Sequence, residues 1–137
     1  MAQYTILIVD DDADFRRAIT AVMQRAGFRT LGAESGIDAL RLIRDVGESL
    51  DLLLADIRMP GEIDGIDVAE FARKAFPTLP VVLMSGSEDL KARRPHIYGF
   101  LSKPFRPDVL LNAVETVLTA RHPVTQERDS RLAVAGD

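Results

Sequence analysis

The sequence predicts an α/β fold: a doubly wound, five-stranded parallel sheet with helices on both faces. Three observations predict it. Short, almost wholly apolar runs recur along the chain, as strands buried on both faces require. Between them lie segments whose apolar residues repeat at helical spacing. Gly, Pro, Asp and Ser punctuate the junctions. Strand and helix alternating in this way imply parallel strands joined by crossover helices, and right-handed crossovers leave few topologies open.

The first strand is read at Tyr4 to Val9, a β-branched apolar run. A helix follows, with Phe15, Ile19, Val22, Met23 and Ala26 inward and Gly27 as its stop. Asp12 and Asp14 suit its N-cap and first turn, where the helix dipole favours acids. Phe28 to Ala33 forms a second strand, and Ser35 caps a helix that turns Ala39, Leu40 and Ile43 inward. Leu52 to Ala55 is the third strand and ends on Asp56. A loop from Met59 to Gly65 leads into a third helix marked by Ile66, Ala69, Ala72 and Phe76 and closed by Pro77. Val81 to Met84 and Ile97 to Leu101 are the fourth and fifth strands. Leu110, Ala113, Val114 and Val117 mark the last helix. The domain is expected over residues 1–120, with 121–137 a disordered tail or a frayed extension of the last helix.

Composition limits the function. The chain has 137 residues, 47% hydrophobic and 28% charged, enough for one packed core. Its net charge of -4 makes a nucleic-acid partner unexpected. The absence of cysteine excludes disulfides, thiolate zinc sites and thiol catalysis. The two histidines, His96 and His122, lie far apart, against a histidine-rich metal site. The run Ile6 to Val9 is short, ends in aspartates and has no basic residue before it, so no export signal is expected. No stretch approaches the roughly 20 apolar residues of a membrane helix. A soluble, cytoplasmic protein that does not contact membranes is expected. Met1 argues against an N-terminal truncation, and the tail is too short for a DNA-binding domain.

The polar residues gather at one rim once the fold is drawn. Asp10 and Asp11 follow the first strand, Asp56 ends the third, Ser85 and Gly86 end the fourth, and Lys103 with Pro104 follows the fifth. All fall at carboxyl ends of strands, where sites form in such folds. Carboxylates about 5 Å apart repel by roughly 3 kcal/mol per pair at an effective dielectric near 20. Lys103 or a divalent cation must offset that, and an all-oxygen, partly hydrated site suits Mg2+. Phosphoryl transfer needs a nucleophile, a cation and donors for developing charge. A carboxylate can serve as the nucleophile, while Ser85, the Gly86 N–H and Lys103 supply donors.

Four motifs carry a resemblance: Ile6-Leu7-Ile8-Val9-Asp10-Asp11; Asp56-Ile57-Arg58-Met59-Pro60 with Asp64-Gly65; Met84-Ser85-Gly86; and Lys103-Pro104-Phe105. In this order, over roughly Thr5 to Ala120, they resemble the receiver domains of response regulators of the chemotaxis type. The resemblance implies a flavodoxin-like (βα)5 fold with strand order 2-1-3-4-5. It implies Asp56 as phosphoacceptor and Asp10, Asp11, Asp56 and the Arg58 backbone carbonyl as Mg2+ ligands. Lys103 would pair with the phosphoryl group, Gly86 would help bind it, and Ser85 and Phe100 would act as switch residues. The donor would be a histidine kinase or histidine phosphotransfer protein. Output would pass to an unknown downstream protein, and a homodimer is compatible with it. The only catalysis expected is of the chain's own phosphorylation and dephosphorylation.

Three departures from the family stand out. The loop Gly61 to Gly65 is one residue longer than usual. The span between Ser85 and Lys103 is short and contains Pro95, so a short or irregular fourth helix is expected. Phe100 lacks a tyrosine's hydroxyl, so any switch there works by packing. Lys91, Arg93 and Arg94 are read as solvated, and Arg58 with Ser87 as tuning water access. A dehalogenase-type phosphotransferase is the competing reading of Asp10-Asp11-Asp12, but its nucleophile follows the first strand and its continuation differs from Ala13-Asp14. A receiver that signals without phosphate is the third reading.

Overall fold

The computed structural model describes residues 3–86 and 99–121. Along the chain these form β1 (Thr5–Val9), α1 (Ala13–Arg25), β2 (Arg29–Ala33), α2 (Gly36–Val46), a 3-10 turn (Gly47–Ser49), β3 (Leu52–Asp56), α3 (Gly65–Ala75), β4 (Val81–Ser85), β5 (Gly99–Ser102) and α4 (Pro107–Arg121). All adjacent strands pair in parallel. The order is β2-β1-β3-β4-β5, so the doubly wound expectation holds.

Alternate residues of each strand point to opposite faces, and both faces are covered. Leu7, Val9, Leu53, Ala55 and Leu83 pack with Ala39 and Ile43 of α2 and with Ile66, Ala69 and Ala72 of α3. Ile6, Ile8, Leu54, Val82 and Met84 pack with Ile19 and Met23 of α1 and with Leu110, Val114 and Val117 of α4. Ile6 to Val9 and Leu52 to Ala55 have no exposed surface. Each Ile, Leu or Val among them contributes about 2 kcal/mol by leaving water. The edge strand β2 has a neighbour on one side only, and Arg29, Leu31 and Gly32 remain exposed.

The helix ends follow the expected chemistry. The Asp12 carboxylate accepts from the Asp14 and Phe15 N–H groups at 3.1 Å each. The Ser35 hydroxyl accepts from the Asp38 N–H at 3.1 Å. Gly27 follows α1 with φ +99°, a left-handed turn that costs glycine little.

Several details differ from the sequence reading. Phe28 is not in β2: its N–H bonds the Met23 carbonyl at 3.1 Å, and its ring packs beside α1. Ala26 caps α1 and faces solvent rather than the core. The 3-10 turn was not foreseen; buried Gly47 lets the Phe76 ring close over it, which no local pattern announces. The expected short fourth helix, the basic cluster at 91–94 and Ser87 fall on residues 87–98, outside the described residues, as does the tail beyond Arg121. Among the described residues no helix is long and apolar enough to cross a membrane.

Candidate functional site

Backbone pairing brings four strand ends to one rim. The Asp10 N–H bonds the Ala33 carbonyl at 3.1 Å, the Ile57 N–H bonds Met84 at 2.9 Å, and the Lys103 N–H bonds Ser85 at 2.9 Å. Each bond extends the sheet one residue past a strand. The residue carrying each polar side chain is therefore held as firmly as the strand itself.

Asp10 is fixed at every polar atom. Its side chain is fully buried. Oδ1 accepts from the Asp12 N–H at 2.9 Å, and Oδ2 accepts from Lys103 Nζ at 2.9 Å. Its backbone carbonyl accepts from Arg16 Nη1. Asp56 closes β3 and is 6% exposed. Carboxylate oxygens of Asp10, Asp11 and Asp56 lie within 4.8 Å of one another, with Asp11 facing solvent.

Lys103 is the counterion of this cluster. Its Nζ also stands 3.4 Å from Asp56 Oδ1. It rests over the Phe15 ring, 4.1 Å from the centroid. Burial, and then the neighbouring Asp10 carboxylate, push the Asp56 carboxyl from 3.8 up to about 6; Lys103 acts the other way but does not cancel them. Among the described residues, three carboxylates converge on the Lys103 ammonium, an acid-rich set that a divalent cation would help to balance. The donors are all oxygen and one faces water, so the set fits Mg2+, which keeps part of its hydration.

Of the remaining expected residues, Ser85 and Gly86 lie at the same rim. Ser85 ends β4 and is 1% exposed. Gly86 is exposed, and a Cβ built on it would lie 4.0 Å from Lys103 Cβ, so its backbone runs beside the lysine. Arg58 is exposed two residues past Asp56. Phe100 stands apart on β5, in register with Leu83 and 36% exposed. Asp12 and Asp14 lie at the start of α1, as expected of caps.

Two contributors escaped the sequence reading. By its spacing Phe15 is a core residue of α1, and nothing in the sequence assigns a role to Arg16. The available signal was position: Phe15 lies in the first turn of α1, directly after the acidic run that ends β1, so it stays near the rim.

Comparison with known proteins agrees with this geometry. Residues 6–115 match the response regulator receiver domain family. The C4-dicarboxylate transport transcriptional regulatory protein DctD of Pseudomonas aeruginosa is 36% identical over 98% of this chain, which spans only 29% of that protein's length. A response regulator receiver protein from Sinorhizobium medicae superposes with a TM-score of 0.80 at 32% identity, covering 87% of this chain and 97% of that one. Response regulator protein TrrA from Thermotoga maritima, solved in complex with Mg2+ and BeF, gives a TM-score of 0.75 at 27% identity, covering 84% and 99%.

Proposed function

From the premise that this chain belongs to the response regulator receiver domain family, we propose that it takes a phosphoryl group on Asp56 and signals by the change of shape that follows. One observation carries the choice of Asp56. Asp10 is fully buried with both carboxylate oxygens engaged, by Lys103 and the Asp12 N–H, whereas Asp56 meets Lys103 only at 3.4 Å and keeps some exposure. The same observation weighs against the dehalogenase-type reading, whose nucleophile would be Asp10.

The transfer is a simple exchange of bonds. An Asp56 carboxylate oxygen attacks the phosphorus of a phosphohistidine, the P–N bond breaks, and the imidazole keeps its electron pair and takes up a proton. The product is an acyl phosphate on Asp56. Asp10, Asp11, Asp56 and the Arg58 backbone carbonyl would hold Mg2+, which supplies positive charge for the transferring oxygens. Lys103 moves from the acids to a phosphoryl oxygen, and the Ser85 hydroxyl and Gly86 N–H donate to the others. Ser85 and Phe100 are the switch pair in this reading, with Phe100 answering by packing alone. Similarity to a protein solved with Mg2+ and BeF, a stand-in for a phosphoryl group, supports it.

The donor is then a histidine kinase or a histidine phosphotransfer protein in the cytoplasm. The chain's own chemistry is limited to gaining and losing its phosphoryl group. Protein partners read the two shapes.

The test is incubation with acetyl phosphate, followed by peptide mapping. Label should appear on the peptide containing Asp56, require Mg2+ and vanish in Asp56→Asn. Label carried by Asp10, or labelling indifferent to Mg2+, would refute the assignment.

A further inference from the structure

Lys103 is held from a side that the acids do not explain. While its Nζ bonds Asp10 and approaches Asp56, it lies 4.1 Å from the centroid of the Phe15 ring. Phe15 is in the first turn of α1, half-buried against the α1–α4 layer. Phe105 meets the same ring edge-on, with centroids 5.7 Å apart and planes at 72°. Lys103 and Phe105 are separated only by Pro104. One short segment after β5 therefore contacts a single ring twice, through the Lys103 ammonium and the Phe105 ring. An aliphatic side chain could fill that space, but it would offer no negative π face to the ammonium.

We propose that Phe15 is the positioning residue for Lys103: its ring face holds the ammonium between Asp10 and Asp56, so that Lys103 competes with entering Mg2+ and stands ready for the phosphoryl oxygen. The second half rests on Asp56 being the acceptor. The first half rests on the contacts alone.

The two halves predict opposite effects of one substitution. In Phe15→Leu the ammonium leaves the acids more readily, so Mg2+ meets less competition and its Kd falls about threefold to tenfold. Transfer from acetyl phosphate at saturating Mg2+ slows by a similar factor, because the lysine must be recruited. Simple loss of packing would instead weaken both. Phe15→Tyr keeps the ring face and should restore both values. Calorimetric titration with Mg2+ alone gives the first quantity, and labelling rate the second.

A third readout needs neither metal nor phosphodonor. The Lys103 Cε protons should be shifted upfield by the ring in the wild type and in Phe15→Tyr, and not in Phe15→Leu. Mg2+ affinity and transfer rate falling together, both staying unchanged, or Lys103 resonances that ignore the substitution would each overturn the proposal. If no variant, wild type included, accepts a phosphoryl group, the acceptor reading fails; the Mg2+ titration and the ring shift still decide the role of Phe15.

Discussion

Lys103 carries one charge between two carboxylates that a divalent cation also needs, and this competition sets the resting state of the pocket. Its closer partner is Asp10, at 2.9 Å, rather than Asp56, at 3.4 Å. Removing the ammonium has two opposed consequences. In Lys103→Met the buried Asp10 loses its partner, and the metal-free protein should lose about 2 kcal/mol of stability, less than a fully buried pair because the lysine keeps some solvent. Mg2+ should bind at least about tenfold more tightly, since a like charge has left the site. Urea unfolding without metal and a Mg2+ titration measure the two. The position of Lys103 was legible beforehand because a lysine directly after an apolar strand is delivered to the rim. Its choice of Asp10 was not, because those residues are 93 apart in sequence.

At the scale of elements, the approach of α3 to β3 decides where Asp56 sits. The Gly65 N–H donates to the Ile57 carbonyl at 2.9 Å. The Asp64 and Asp67 side chains bond each other's backbone N–H groups at 2.9 Å in a capping box. A Cβ on Gly65 would overlap the Asp56 carbonyl oxygen and lie 2.8 Å from Ile57 Cα. Backbone cannot yield as a side-chain tip can. Gly65→Ala should therefore cost about 2–3 kcal/mol and weaken Mg2+ binding by displacing Asp56. Gly27→Ala is the contrast: φ is +99° but the surrounding space is open. It should cost about 1 kcal/mol and leave Mg2+ binding unchanged. Chemical denaturation and metal titration of both variants check the pair. The caps at Asp12 and Ser35 could be read from the sequence, since a cap and its target are two or three residues apart. The 3-10 turn at Gly47 could not, since what shapes it is a ring 29 residues away.

For the whole molecule, a buried charge links folding to pH and to metal. The Asp56 carboxyl stands at about 6 in the fold against 3.8 unfolded. A raised carboxyl binds its proton more tightly when folded. Its contribution to stability is thus fully present below pH 3.8 and is lost as pH rises through about 6. The difference of about two pKa units corresponds to roughly 3 kcal/mol. Metal-free wild type should therefore fall in stability relative to Asp56→Asn between pH 4 and pH 7, with the two equal at the acid end. Mg2+ at about 1,000 Kd should reverse the order at pH 7, since it adds about 4.1 kcal/mol to the state that binds it. Calorimetric melting of both proteins across pH, with and without Mg2+, reads this directly.

The sequence by itself determined the sheet, the four helices described and the collection of acids at one rim. Apolar runs and helical spacing are local signals, and a parallel sheet turns the end of every strand to the same edge. Tertiary structure alone decided the pairings within that rim: Lys103 on Asp10, its ammonium on the Phe15 ring, Arg16 on the Asp10 carbonyl, and the raised carboxyl of Asp56. Each depends on distances of a few ångströms between residues on different elements. Coulomb and π interactions change steeply over such distances, whereas local pattern carries no information about them.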